Sequence, residues 1–259
     1  MKKASVVLFA LIVVLGLAFS SVSSNAQSNN PLVQKLVEFF RGVDNASIDD
    51  AVMKAKSQLN AEANQAQRNN LEKLFDSQIA TLKNRGVPQQ VLEALQNKKS
   101  AVVDKASKMT IGAGNIPFIP VIKPSYLGYY GLMSLVRSGA KEGYTYLDPA
   151  LITDKVETPN KLYYIYDVED GETMRGKSPE AAEKLLKEQR RSPLTAAEVI
   201  ALATHTDVLS RHFVDATGSR YDSVYVPFLW LDGGRPGLGF SFWAGNASSG
   251  WGSASCGSR

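Results

Sequence analysis

Lys161-Leu-Tyr-Tyr-Ile-Tyr-Asp-Val168, running into Asp170-Gly171, is the stretch on which the fold turns. Its aromatic and β-branched side chains read as a strand, and the Asp-Gly pair behind it reads as a hairpin turn. Downstream, Ser178-Pro179 opens a helix to about Arg190. Thr195 and Glu198 then form a T-x-x-E capping box for a second helix, to about Ser210. The end of the chain turns all-β, with Val224 to Leu231, a Gly-Gly-Arg-Pro-Gly turn at 233–237, and Leu238 to Trp243. Upstream, Ile116 to Ile122 is a proline-punctuated apolar run suited to an edge strand. Ser125 to Arg137, apolar on much of its surface, reads as a buried helix. Strands and helices alternate without a regular βαβ repeat, so the pattern predicts a mixed α+β domain over 116–259 that ends in antiparallel strands.

The first third carries a helical texture. Asn30-Pro31 suits a helix start, with Leu32, Leu36 and Phe39/Phe40 on one stripe and Gly42 as a stop. Ser47 and Asp50 open a second helix. Its stripe fades through the polar run 60–70 and resumes at Leu71, Leu74/Phe75, Ile79 and Leu82 before Gly86. Pro88 starts a third helix to Met109. Such narrow stripes each bury one face, so residues 27–110 are expected to form a helical hairpin or coiled-coil-like segment. That segment suits a brace, or self-association through residues 31–108. Ile111-Gly-Ala-Gly-Asn115 reads as a linker, which should be protease-sensitive and leave a fragment from Asn115 able to fold alone.

Ahead of these helices lies an address. Lys2 and Lys3 precede an unbroken apolar run from Val6 to Phe19, and Ser24-Asn25-Ala26 places small residues before a cut ahead of Gln27. That layout is an export signal over 1–26, too short in its apolar part for the roughly 20 residues of a bilayer-spanning helix. The expected location is therefore the periplasm, the cell surface or the medium, with no transmembrane segment once the signal is removed. Losing Lys2 and Lys3 leaves 27 basic against 25 acidic residues. Neither half of the chain has the single-sign surface that nucleic-acid binding favours, and none is expected. Cys256 is the sole cysteine, so an exported form holds no internal disulfide and must be stabilised by packing.

Few residues carry chemistry. His205 and His212 lie close in sequence, and with Asp207 and Asp215 they form a loose H-x-D…H-x-x-D cluster. The spacing matches no zinc signature, so neither a metal site nor a cofactor is expected. Cys256 with His205 or His212 supplies the minimum of a thiolate and its base, and Cys256 with His205 is the catalytic candidate. Against it stands the reading of a buried structural thiol among small neighbours. Trp230, Phe240, Phe242, Trp243 and Trp251 offer faces for sugar rings or packing for a core. Of these, Trp251, between two glycines, falls outside the strand alternation and is the binding candidate.

The C-terminal portion, from about residue 115 to 259, resembles a bacterial family known as a domain of unknown function. The resemblance is carried by Arg191-Ser-Pro-Leu-Thr195 leading into Ile200-Ala-Leu-Ala-Thr-His205, by Gly218-Ser-Arg220, and by a closing run. That run comprises Val226-Pro227, Leu229-Trp230-Leu231, Pro236-Gly-Leu-Gly239, Ala244-Gly-Asn246 and Trp251-Gly-Ser-Ala-Ser-Cys-Gly257. The resemblance implies no reaction and no ligand. It points to His205, Arg220, Asn246 and Cys256 as a cluster, with Arg220 and Asn246 as binding residues. The resulting expectation is an exported, envelope-associated binding or structural module whose partner is an envelope glycan or a protein. The alternative is a small thiol-dependent hydrolase or transferase in which Cys256 lies beside His205, near Arg220.

Overall fold

The structure, a computed structural model, describes residues 45–245 and 248–259, with side chains from Met53 onward. The signal pattern at 1–26, the helix expected near Pro31 to Gly42 and the binding candidate Asn246 lie outside the described residues. The first described helix, α1 (Asn45–Asn84), begins in one compact unit, which ends at Ala61, and continues in a second, Glu62–Arg259.

Within that unit the polar run of α1 lies largely in solvent, and the resumed stripe buries Leu71, Phe75, Ile79 and Leu82. Their four- and three-residue spacing puts them on one helix face. Gly86, at φ +81°, ends the helix, and Pro88 caps α2 (Gln89–Gln96), followed by α3 (Lys99–Lys108). One helix was expected from Pro88 to Met109. The break at Asn97–Lys98 turns Val102, Val103 and Ala106 onto the same core that Val91, Leu92 and Leu95 reach.

In chain order there follow β1 (Ile116–Val121), α4 (Pro124–Met133), β2 (Arg137–Ser138), β3 (Lys141–Glu142), β4 (Tyr144–Thr145), β5 (Ile152–Asp154), β6 (Tyr163–Val168) and α5 (Pro179–Glu188). Then come β7 (Ser192–Pro193), α6 (Ala196–His205), β8 (Phe213–Asp215), β9 (Ser219–Tyr221), β10 (Tyr225–Asp232), β11 (Arg235–Phe242), β12 (Trp251–Ser253) and β13 (Ser255–Cys256). The fold is α+β, with antiparallel and mixed sheets.

Strands β1 and β6 form an antiparallel pair in which Phe118 faces Tyr166 and every residue of β6 is buried. Helix α1 covers it: Phe75 stacks on Tyr164 at 5.6 Å, and the Gln78 amide donates to the Phe118 carbonyl at 2.7 Å. One buried cluster therefore runs from Leu71 to Cys256. The glycine stretch 111–115 does not separate two bodies. The Gly112 N–H and the Asn115 side-chain amide both donate to the Asp167 carboxylate, at 2.8 and 2.7 Å. Sequence shows the glycines but not the distant acceptor that fastens them.

Two further expectations are corrected. Asp170-Gly171 is not a hairpin: the Glu169 carboxylate accepts from the N–H groups of Gly171 and Thr173, and the Asp170 carboxylate from that of Glu172. These bonds wind the chain into a 3-10 turn, Glu172–Met174. Helix α4 is kinked at Gly128 (φ 65°), and the kink leaves Tyr126 and Tyr130 exposed where a well-buried helix was read.

The larger sheet orders its strands β12-β8-β10-β11-β4, with β9 and β5 continuing from β10. Its backbone is the β10–β11 hairpin, closed by Gly233 and Gly234 at φ 53° and 76°, the left-handed pair that a two-residue turn requires. Helix α6 packs on β1 and on β10, and so touches the β1–β6 pair and the larger sheet. Its Thr195–Glu198 capping box is formed, and Ala196 to Thr204 are all buried, as befits a helix with core on every side.

Candidate functional site

Cys256 lies in β13, paired with Ser192 of β7, and is fully buried. Two ion pairs flank it. On one side Glu198, itself buried, accepts from Arg259 Nε and Nη2 at 2.7 Å each, and from the Tyr163 hydroxyl at 2.9 Å. The same carboxylate accepts the Thr195 N–H at 2.8 Å, so the helix cap and the ion pair share one group. Arg259 also donates to Ser192 Oγ and, at 2.9 Å, to the Pro193 carbonyl, which holds β7 and the chain end together. On the other side Arg191 pairs with Asp167 at 2.6 Å and donates to Ser255 Oγ at 2.8 Å. Burial pushes the Cys256 thiol up to about 12, because the attraction of Arg259 and Arg191 is opposed by Glu198 and Asp167. At neutral pH this sulfur is a protonated, enclosed thiol, the reverse of an activated nucleophile.

His205 is elsewhere. It ends α6, seven residues beyond Glu198, which at the rise of an α-helix is about 10 Å further along the axis. Its ring lines a void of about 10 Å³ with Leu82, Leu132 and Leu135. Burial first, and then Arg85, push the imidazole down to about 3, so it is neutral. Cys256 and His205 thus occupy opposite ends of one helix. Neither is tuned for the other.

Arg220, on β9, joins neither. Its Nη1 donates to the carbonyls of Thr217 and Ser219, and its Nη2 pairs with Glu183 of α5 at 2.9 Å. So fixed, the guanidinium lies 3.5 Å from the centroid of the Trp243 ring. The two line an open cleft of about 790 Å³ with Val224 and Phe242. Phe242 is 68 % exposed and Val224 57 %, a large apolar surface to leave in water. Trp251 is not detached, as its flanking glycines suggested. It meets Phe228 at 4.3 Å and Phe213 at 5.3 Å in an aromatic row across β8, β10 and β12. Trp230 extends that row, 5.0 Å from Phe228.

The residues that sequence reading missed are Glu198, Arg259, Asp167 and Arg191 around the thiol, and Glu183 beneath Arg220. Glu198 was visible only as a helix cap, and nothing in the spacing of Arg259 signals a buried ion pair. Trp243 stood in the tail's aromatic list, but its arginine partner is set by β9 and not by local sequence. Among the described residues, no group of three His, Cys, Asp or Glu side chains is placed to hold a metal ion. No helix among them is long and apolar enough to cross a membrane.

A family model described as "Family of unknown function (DUF5701)" matches residues 73–259. Its span takes in the end of α1, α2 and α3, the same helices that complete the core. No curated protein and no solved structure matches the chain.

Proposed function

The chain belongs to that family of unknown function, and we propose that it is an exported, envelope-associated binding module whose contact site is the Arg220–Trp243 cleft. The observation that carries this reading is the pairing itself. An arginine tied down by two carbonyls and a carboxylate holds an indole in place beside an exposed phenylalanine. A ring immobilised before binding loses little freedom on contact, and its outer face suits the C–H face of a sugar. An envelope glycan is accordingly the ligand we favour. The residues at 1–26 supply the address, and the helical segment 27–110 serves as a brace or for self-association. Met53 and Leu59, both exposed on α1, suit a hairpin or coiled-coil partner.

The thiol-enzyme reading has no comparable support, since it needs an accessible sulfur with a base beside it. Binding is tested by co-sedimentation of the mature chain with insoluble cell-wall glycan and by tryptophan fluorescence with its soluble fragments. Trp243→Ala and Arg220→Lys should weaken both signals while Cys256→Ala leaves them intact. Equal binding by all three variants would remove the cleft from consideration. N-terminal sequencing of the exported form should begin at Gln27.

A further inference from the structure

Among the described residues, His212 is the one histidine whose surroundings favour a proton, and it lies outside the Arg220–Trp243 cleft. The imidazole is fully enclosed, with a side-chain exposure of 0 %. Its Nδ1 lies 2.9 Å from the Phe213 carbonyl oxygen, which can only accept, so Nδ1 carries a hydrogen in either protonation state. Its Nε2 is buried with no hydrogen-bond partner, and faces Glu172 at 3.6 Å and Asp170 at 3.9 Å. A neutral ring would thus aim its lone pair at two carboxylates. A protonated ring would present them an N–H and a charge.

We propose that His212 is a protonation-dependent latch that fastens the segment Asp170–Gly176 against β8 and β12. Besides the Arg211–Asp170 pair and Met174, which packs on Ala182 and Leu186 of α5, its ties reach the far end of the sheet. Gly171 sits so close to Gly252 that a Cβ at Gly252 would lie 2.1 Å from the Gly171 carbonyl oxygen. Gly176 N–H donates to the Trp251 carbonyl at 3.2 Å, and Arg175 Nε to that of Ser249 at 2.7 Å. The latch therefore steadies Ser249, Trp251 and Gly252.

The other charged groups about the ring are accounted for. Arg211, its chain neighbour, pairs with Asp170 at 2.8 Å and Asp207 at 3.6 Å, and Arg175 pairs with Glu172 at 2.9 Å. Glu169 is occupied by the N–H groups of Gly171 and Thr173. Burial opposes the charged ring, but Asp170, the Phe213 carbonyl and Glu172 together outweigh it and raise its pKa above the ordinary value. A raised histidine pKa stabilises the closed segment at pH below the ordinary imidazole value, and that contribution is lost as pH climbs through the folded pKa. The latch is closed in acid and loosens in alkali.

The chain has two histidines, so each ring is separately visible by NMR. In a titration of the whole protein, His212 should ionise above 6.5 and show the Nδ1–H tautomer when neutral, with His205 silent down to about 3. Hydrogen-exchange protection of 170–176, corrected for intrinsic rates, should fall between pH 5.5 and 8.5 by about tenfold for each unit by which the folded pKa exceeds that of the open segment. Asp170→Asn keeps the ring and the turn. It should lower the His212 midpoint and flatten the loss of protection, and Glu172→Gln should do so more weakly. A wild-type ring that titrates at or below 6.5, or protection that ignores pH, or an Asp170→Asn profile identical to wild type would each overturn the latch.

Discussion

Two arginines in this domain are each held by a carboxylate, and they mark opposite kinds of region. Arg259 reaches inward to a fully buried Glu198 and seals the chain end over Cys256. Arg220 reaches Glu183 near the surface and props Trp243 at the edge of an open cleft. In the first region the charged groups are spent on their neighbours, and the only thiol is enclosed and protonated. In the second the charge is spent on holding a ring whose surroundings remain open. A buried charge pair commits its surroundings to structure, whereas a pair at a cleft leaves surface for a partner.

The contrast breaks most forcefully at the sealed end. Arg259→Ala leaves Glu198 buried and uncompensated, which should cost about 3–5 kcal/mol in chemical denaturation. Arg220→Ala at the open end should cost under about 1.5 kcal/mol, since its partner is partly solvated. Equal losses would erase the distinction drawn between them.

Next in size is Asp215, buried on β8 with Oδ1 unpartnered, whose carboxyl burial pushes up to about 7. Here the folded pKa lies above the unfolded one, so stability falls as pH rises from about 4 towards 7 and then levels off. The loss is on the order of 4 kcal/mol. Asp215→Asn should flatten this slope in denaturation curves between pH 4 and 7. The His212 contribution, lost at higher pH, should persist in that variant, and this separates the two groups. A smaller effect belongs to Cys256→Ala, a modest packing change of about 1 kcal/mol that leaves binding unaltered. Trp243→Ala should change stability least and glycan binding most, by tenfold or more in apparent affinity. Loss of folding in that variant would mean that the cleft is core.

Much of the fold was legible in the sequence because its signals are local. The Thr195–Glu198 box, the apolar stripe from Leu71 to Leu82 and the Gly233-Gly234 turn each depend on residues a few positions apart. What escaped reading depends on distant partners. Gly112 and Asn115 look like a linker until Asp167, some fifty residues on, accepts their hydrogen bonds. Asp170-Gly171 looks like a hairpin until Glu169 and Asp170 bend back on the backbone. The site was less legible still. Cys256 and His205 were paired because each sits in a distinctive motif, yet α6 is long enough to hold them apart. Arg220 took its meaning from Glu183 and Trp243, brought to it by other elements.

The enclosed thiol is tested most directly by labelling Cys256 with a small maleimide, with and without denaturant. The account predicts no modification of the native protein over hours at pH 7.5, and one equivalent per chain once guanidinium unfolds it. Native labelling at a rate near that of a free thiol would contradict it. Cys256 would then be open to solvent, and the sealed end would return as a candidate for chemistry.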